Sequence, residues 1–183
     1  WEANFTPTVA AVLGDYDIRV RIVDSDSDSS NWSTHMNNIT VRNNDPVLSD
    51  YGLSSSSVLR TNTVVIGVNT TDTEDSEDSH TVTVQYRSTD GWSTAYLSDV
   101  WYDSSDGRWE TNFTPANSSE LGTYDLRIMV NDTDEGSSNW TTYDDVITVT
   151  NNDPELQSMN FSSSEVLRTS MVVIGIDITD IED

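Results

Sequence analysis

The sequence predicts an all-β protein built as a linear array of sandwich domains with a repeat length of 108 residues. The first reason is an internal repeat. Asn43-Asn44-Asp45-Pro46 returns as Asn151-Asn152-Asp153-Pro154, an offset of 154 − 46 = 108, and that offset runs without a gap through the overlap. Trp1-Glu2 and Asn4-Phe5-Thr6-Pro7 recur as Trp109-Glu110 and Asn112-Phe113-Thr114-Pro115, and Val64-Val65-Ile66-Gly67 as Val172-Val173-Ile174-Gly175. More than half of residues 1–75 are identical to residues 109–183. Such a period is too long for a solenoid repeat and suits a self-contained sandwich. The second reason is alternation of apolar and polar residues in short runs closed by Gly or Asx turns, with no helical periodicity.

The repeated Asn-Asn-Asp-Pro stretch reads as a joint between domains. It follows Ile39-Thr40-Val41 in one copy and Ile147-Thr148-Val149 in the other. Proline has a fixed φ and no N–H, so it suits the first residue of an edge strand, and Asn and Asp before it tolerate turn geometry. The domains are then residues 1–45, the C-terminal half of one repeat; 46–153, a complete repeat; and 154–183, the N-terminal part of the next. A chain that begins and ends within domains is expected to be a window on a longer protein or fibre. Completion by a neighbouring copy would leave a sandwich without the equivalent of 76–108, so a longer covalent chain is the expectation.

Within the complete repeat, residues 47–53 make a first strand and 54–57 a polar bend. Residues 61–71 alternate, with Val64, Ile66 and Val68 on one face; 80–87 follow with Val82, Val84 and Tyr86 inward. Thr89-Asp90-Gly91 turns the chain into 92–102, expected to cross between sheets. After a tight turn at 103–107, Trp109, Thr111 and Phe113 face in while Glu110, Asn112 and Thr114 face out. The next strand carries Tyr124, Leu126, Ile128 and Val130 inward, as Tyr16, Ile18, Val20 and Ile22 do in the earlier copy, and the last strand is 145–150. A Tyr opening a strand after a Gly and a long connection resembles the tyrosine corner of immunoglobulin-like sandwiches, and that is the domain type expected here.

The charge bounds the partners. Thirty-two acidic residues oppose eight basic ones, all Arg, for a net charge of −24. The chain is therefore expected to attract cations and to seek neither nucleic acid nor membrane. Cysteine is absent, so stability cannot come from disulfides, and any metal must be held by oxygen ligands or by His35 and His80. Nine Asn-x-Ser/Thr sequons stand at Asn4, Asn31, Asn38, Asn69, Asn112, Asn117, Asn131, Asn139 and Asn160, which marks them as candidate sites for N-linked glycans.

In a sandwich of this topology the loops at 72–78, 103–106 and 132–134 share one end with the joint that precedes the domain. Those loops supply Asp72, Glu74, Asp75, Asp78, Asp103, Asp106, Asp132 and Asp134, beside Asn43, Asn44 and Asp45. The equivalents in the other copies are Asp24, Asp26, Asn151, Asn152, Asp153, Asp180, Glu182 and Asp183. Carboxylates gathered this closely repel one another, and a hard cation such as Ca²⁺, which takes 6–8 oxygen ligands, removes that cost. An acidic run is ordinarily a solvated face. Recurrence separates the two cases: Asp24/Asp132, Asp26/Asp134, Asp45/Asp153, Asp72/Asp180, Glu74/Glu182 and Asp75/Asp183 recur, whereas Asp15, Asp28 and Asp50 are replaced by Thr123, Gly136 and Ser158. Asp17/Asp125 and Glu2/Glu110 also recur, away from the joint.

The joint resembles the Asp/Asn-rich linker before a proline that connects cadherin repeats, a role that would fall on Asn43, Asn44, Asp45, Asn151, Asn152 and Asp153, with Asp132 and Asp134 matching an Asp-x-Asp. Gly-x-Tyr-Asp-x-Arg followed by Asn-Asp-x-Asp resembles the end of immunoglobulin-like and polycystic-kidney-disease-type repeats of bacterial and archaeal surface proteins. The resemblance implies a structural extracellular protein: a rod or fibre, or an adhesin, with Ca²⁺ at its joints. It would pair with further copies of the same repeat in a longer chain or homopolymeric fibre. The alternative is a binding module whose Trp32, Trp140 and Trp92 form an aromatic platform for carbohydrate or a protein. An enzyme is not expected: neither His recurs, no phosphate-cradling Gly loop or Gly-x-Ser-x-Gly is present, and the carboxylates lie in repeated loops.

Overall fold

The computed structural model describes residues 1–181, which are all-β apart from a single 3₁₀ turn at Glu77–Ser79. The strands are β1 (Gly14–Val20), β2 (Ser33–Val41), β3 (Val47–Leu53), β4 (Ser57–Leu59), β5 (Val64–Thr71), β6 (Thr81–Arg87), β7 (Trp101–Asp103), β8 (Arg108–Phe113), β9 (Gly122–Asn131), β10 (Thr141–Thr150), β11 (Glu155–Phe161) and β12 (Ile174–Thr179). No helix among the described residues is long and apolar enough to cross a membrane.

Residues 46–153 fold into two four-stranded sheets, ordered β3-β5-β8-β7 and β4-β10-β9-β6, compatible with a β-sandwich. Every pairing is antiparallel except β4 with β10. The period-2 pattern explains the core. Val64, Ile66 and Val68 of β5 and Leu126, Ile128 and Val130 of β9 point between the sheets and join Val82, Val84, Tyr86, Phe113, Ile147 and Val149 in one buried cluster. Each such side chain contributes about 1.5–3 kcal/mol by leaving water, and no disulfide adds to it. Residues 92–100 cross between the sheets, bridging first to β6 through Tyr86–Ser93 and then to β8 through Leu97–Phe113.

Three local details depart from the sequence reading. The bend at 54–57 runs into β4, a short edge strand that the Ser-rich composition conceals. The last strand begins at Thr141, interrupted by a bulge between Tyr143 and Ile147. Glu110, expected to face solvent, is buried because Arg108 folds back on it at 2.6 Å. Gly67 leaves room for that guanidinium: a Cβ there would meet Arg108 at 2.9 Å and the arginine would have to shift.

The bulge explains a pair of recurring acids. Asp145 takes a left-handed backbone (φ 56°) and donates its N–H to Asp125 Oδ1 at 2.8 Å; Asn37 (φ 52°) donates to Asp17 Oδ1 at 2.9 Å in the earlier copy. Asp17 and Asp125 thus recur for a turn, not for a ligand. Tyr124 Oη donates to the Glu120 carbonyl at 2.9 Å, and Tyr16 Oη to that of Val12 at 2.8 Å.

The flanking segments form two-stranded sheets, β1-β2 and β11-β12. The register places their joints at opposite ends of the central unit. Val47 faces Thr71 at one end, beside the β9–β10 loop, whereas Val149 faces Gly122 at the other.

Candidate metal centre

Three segments converge where β2 hands over to β3. The β5–β6 loop is shaped by Asp72, whose Oδ1 accepts the backbone N–H groups of Glu74 (2.7 Å) and Asp75 (3.3 Å). The β9–β10 loop is shaped the same way by Asp132, whose Oδ1 accepts those of Asp134 (2.9 Å) and Gly136 (2.7 Å). In both, a short carboxylate mimics a backbone turn. Each Asp spends one oxygen on its own loop and keeps the other for something else.

For Asp132 that something is the joint. Asn43 Nδ2 donates to Asp132 Oδ2 at 2.6 Å, and Asn44 Nδ2 donates to Glu74 Oε1. Asp45 Oδ1 accepts the N–H of Ser137 at 3.3 Å. The two loops also hold each other, through Thr133 Oγ1 donating to Asp75 Oδ2 at 3.0 Å. Gly136 makes the approach feasible: a Cβ there would lie 2.2 Å from Asp132 Oδ2 and 2.8 Å from Asn43 Nδ2. This glycine, Thr133 and Ser137 are joint residues that the sequence reading did not single out. The replacement of Asp28 by Gly136 was the available signal.

Two oxygens remain. Asp72 Oδ2 and Glu74 Oε2 are buried and have no hydrogen-bond partner. Burial pushes the Asp72 carboxyl up, but the backbone N–H groups that Glu74 and Asp75 donate to Oδ1, with nearby His80, outweigh it and hold it below the ordinary value. A cavity of about 150 Å³ opens beside Glu74, lined by Asn43, Asn44 and Asp134 and by Pro7, Val9 and Leu13 of the preceding segment. Buried carboxylate oxygens without donors fit a hard cation, which supplies the positive charge that they lack. Asn43 and Asn44 can turn their amides to present oxygen. His80 is buried, with Nδ1 2.8 Å from Thr70 Oγ1 and Nε2 without a partner.

The other expected ligands lie elsewhere. Asp78 accepts Ser76 Oγ at 2.6 Å. Asp103 and Asp106 gather with Glu110, their carboxylate oxygens within 4.8 Å of one another. That group already holds a cation, since Arg108 lies 3.5 Å from Asp106 and 2.6 Å from Glu110, and Asp103 accepts the N–H (2.8 Å) and hydroxyl (2.5 Å) of Ser105. In the first copy Asp24 shapes the same turn, accepting the N–H groups of Asp26 (3.1 Å) and Asp28 (2.9 Å), and is exposed. Recurrence of Asp24/Asp132 therefore has a turn as its first cause.

At the second joint the amides face the unit that precedes them. Asn151 Oδ1 accepts Arg60 Nη1 at 3.3 Å, and Asn152 Nδ2 donates to the Arg60 carbonyl at 3.1 Å. Asp153 is exposed and Asp180 lies near Pro154. Glu182 and Asp183 fall outside the described residues.

The tryptophans do not form a bare platform. Arg127 lies 4.6 Å from the ring centre of Trp92 and 4.2 Å from that of Trp140, with Arg87 also 4.6 Å from Trp92. Trp32 has Arg19 at 4.7 Å and Arg21 at 5.1 Å. Arg127 is fixed in turn by Gln85 at 2.8 Å and Arg87 by Asp125 at 3.0 Å. The nine sequon asparagines are all exposed or half-buried.

No protein-family model, curated protein or solved structure matches the chain.

Proposed function

We propose that this is a structural extracellular protein, a rod or fibre of tandem immunoglobulin-like domains stiffened by Ca²⁺ at the joints and carrying N-glycans. The observation that carries the reading is at the first joint: Asn43 and Asn44 dock on Asp132 and Glu74 beside two buried carboxylate oxygens, Asp72 Oδ2 and Glu74 Oε2, that have no donor. Without a cation this arrangement opposes docking; with one, the same oxygens hold two domains in a fixed relation. Ca²⁺ bound there is felt as domain stability and as rod stiffness.

Two features support the domain type. The orders β3-β5-β8-β7 and β4-β10-β9-β6 agree with what an immunoglobulin-like sandwich with a split first strand would have. The hydrogen bond from Tyr124 to the Glu120 carbonyl has the geometry of a tyrosine corner.

The test is calorimetric titration of metal-stripped protein with Ca²⁺, read beside its melting temperature. Uptake that raises Tm and is abolished by Asp72→Asn with Asp132→Asn supports the reading. No uptake at millimolar Ca²⁺ sinks it.

A further inference from the structure

The central unit has one edge strand that nothing protects. Among its other edges, β4 and β7 have three residues each, and β3 carries Asp50 and a register shift between Leu48 and Asp50. β6 is different: its seven residues, Thr81–Arg87, form the edge of their sheet, pair with β9 without a break and include no acidic residue or proline. In a chain of net charge −24, that stretch lacks the acids and bends that keep edges apart.

The free groups of this edge can be named. Tyr86 exchanges two backbone hydrogen bonds with Ser93, each 2.9 Å long, and therefore faces away from β9. Backbone direction alternates along a strand, which turns the N–H and C=O groups of Val82 and Val84 to the same side. Among the described residues neither has a backbone partner there. A groove of about 280 Å³ lies beside them, lined also by Thr94, Leu97 and Val100 of the crossing segment. The side chains of Val82 and Val84 belong to the core, so what the edge offers is backbone.

We propose that this edge docks a second copy of the chain side by side, β6 to β6 and antiparallel, about a two-fold axis at Thr83. Val82 then faces Val84 of the copy and Val84 faces its Val82, each pair exchanging two backbone hydrogen bonds. That register uses the free residues of both chains and leaves the Tyr86–Ser93 bridge intact. The two sheets continue as one across both molecules, with Thr83 opposite Thr83 on the outer face as a cross-strand pair.

Charge selects the same direction. The antiparallel register brings each Arg87 alongside Ser79 of the copy, next to its Glu77 and Asp78, whereas a parallel one would set those acids against their own equivalents. This self-complementarity of register and charge favours a copy of the chain over an unrelated strand. The interface is isologous and lies wholly within the complete domain. It adds side-to-side pairing to the reading of the chain as a structural array, and it rests on neither calcium nor glycan.

The chain has no cysteine, so single substitutions can report the register. Opposed residues of a non-hydrogen-bonded antiparallel pair have Cα atoms about 4.5 Å apart, within reach of a disulfide. Thr83→Cys in the whole chain should therefore oxidise to a disulfide dimer. Thr81→Cys and Gln85→Cys should each form none alone and should cross-link to each other when mixed. Sedimentation of the wild type up to about 1 mM, with Ca²⁺ and with chelator, should show a monomer–dimer equilibrium that stops at the dimer. Thr83→Glu, which opposes two carboxylates across the axis, should weaken it about tenfold or more without changing the melting of the monomer. A wild type that stays monomeric overturns the proposal. So does a Gln85→Cys chain that cross-links alone as readily as Thr83→Cys. Dimers that persist in chelator while calorimetry shows no Ca²⁺ uptake support this edge and sink the metal joint separately.

Discussion

Asn43 Nδ2 reaches Asp132 Oδ2 at 2.6 Å across 89 residues of sequence, and the contact exists because Asp132 uses its other oxygen to build the loop that presents it. The carboxylate is a turn element on one side and a docking point on the other. Asp72 has the same division of labour, with its second oxygen buried and without a donor. Asp72→Asn is expected to lower Tm modestly in chelator, because the fold holds this carboxyl below its ordinary value, and to abolish the further rise on adding Ca²⁺. At a hundredfold excess over Kd that lost rise corresponds to about 2.7 kcal/mol, read by calorimetry of both states.

Gly136→Ala tests the joint without touching a charge. Its Cβ would sit 2.2 Å from Asp132 Oδ2, so Asn43 must move away. Because both partners are ends of flexible side chains, the expected cost is the lost hydrogen bond, about 0.5–1.5 kcal/mol, concentrated in the docking of β2 to the central unit. Nuclear magnetic resonance shifts at Asn43 and Asp132 should change while those of the core, such as Ile66 and Leu126, do not. The first copy carries Asp28 at this place, so the loop backbone itself accepts a side chain.

Tyr124→Phe removes the hydroxyl that the Glu120 carbonyl accepts at 2.9 Å. The ring stays buried against Phe113 and Tyr86, so packing is retained. Loss of about 1 kcal/mol in urea denaturation, with an unchanged m-value, is expected.

Acid should destabilise the central unit through Asp125. The N–H of Asp145, then the Arg87 guanidinium, hold its carboxyl below the ordinary value of 3.8. A depressed folded-state pKa means the unfolded chain takes up the proton first as pH falls. The contribution is therefore complete above the unfolded value and is lost as pH drops below 3.8 toward the lower folded value. Asp125→Asn keeps an acceptor for Asp145 but removes the charge, and should flatten the dependence of Tm on pH in that acid range.

Much of this molecule was legible in sequence because much of it is local. Alternation over a few residues places Val64, Ile66 and Val68 on the inner face, and Tyr124 needs a carbonyl only four residues away. The Asx loops at Asp72 and Asp132 close within four residues too. The 108-residue offset even shows which acids can drift.

What the offset cannot separate is why an acid stays. Asp125 recurs to hold a left-handed residue across a bulge, Asp24 to shape a loop, and Glu110 is buried under Arg108. Asp103 and Asp106 share an end of the sandwich with Asp72 and Asp132, yet they gather around that same arginine. Sequence alone determined most of the strands and most of their inner faces, since these follow from period-2 pattern and turn chemistry, while β4, the start of β10 and the burial of Glu110 escaped it. Only the tertiary structure decided which carboxylates meet and which lose their donors, because strand register brings residues 43, 74 and 132 together, and nothing in the neighbours of each residue encodes that distance.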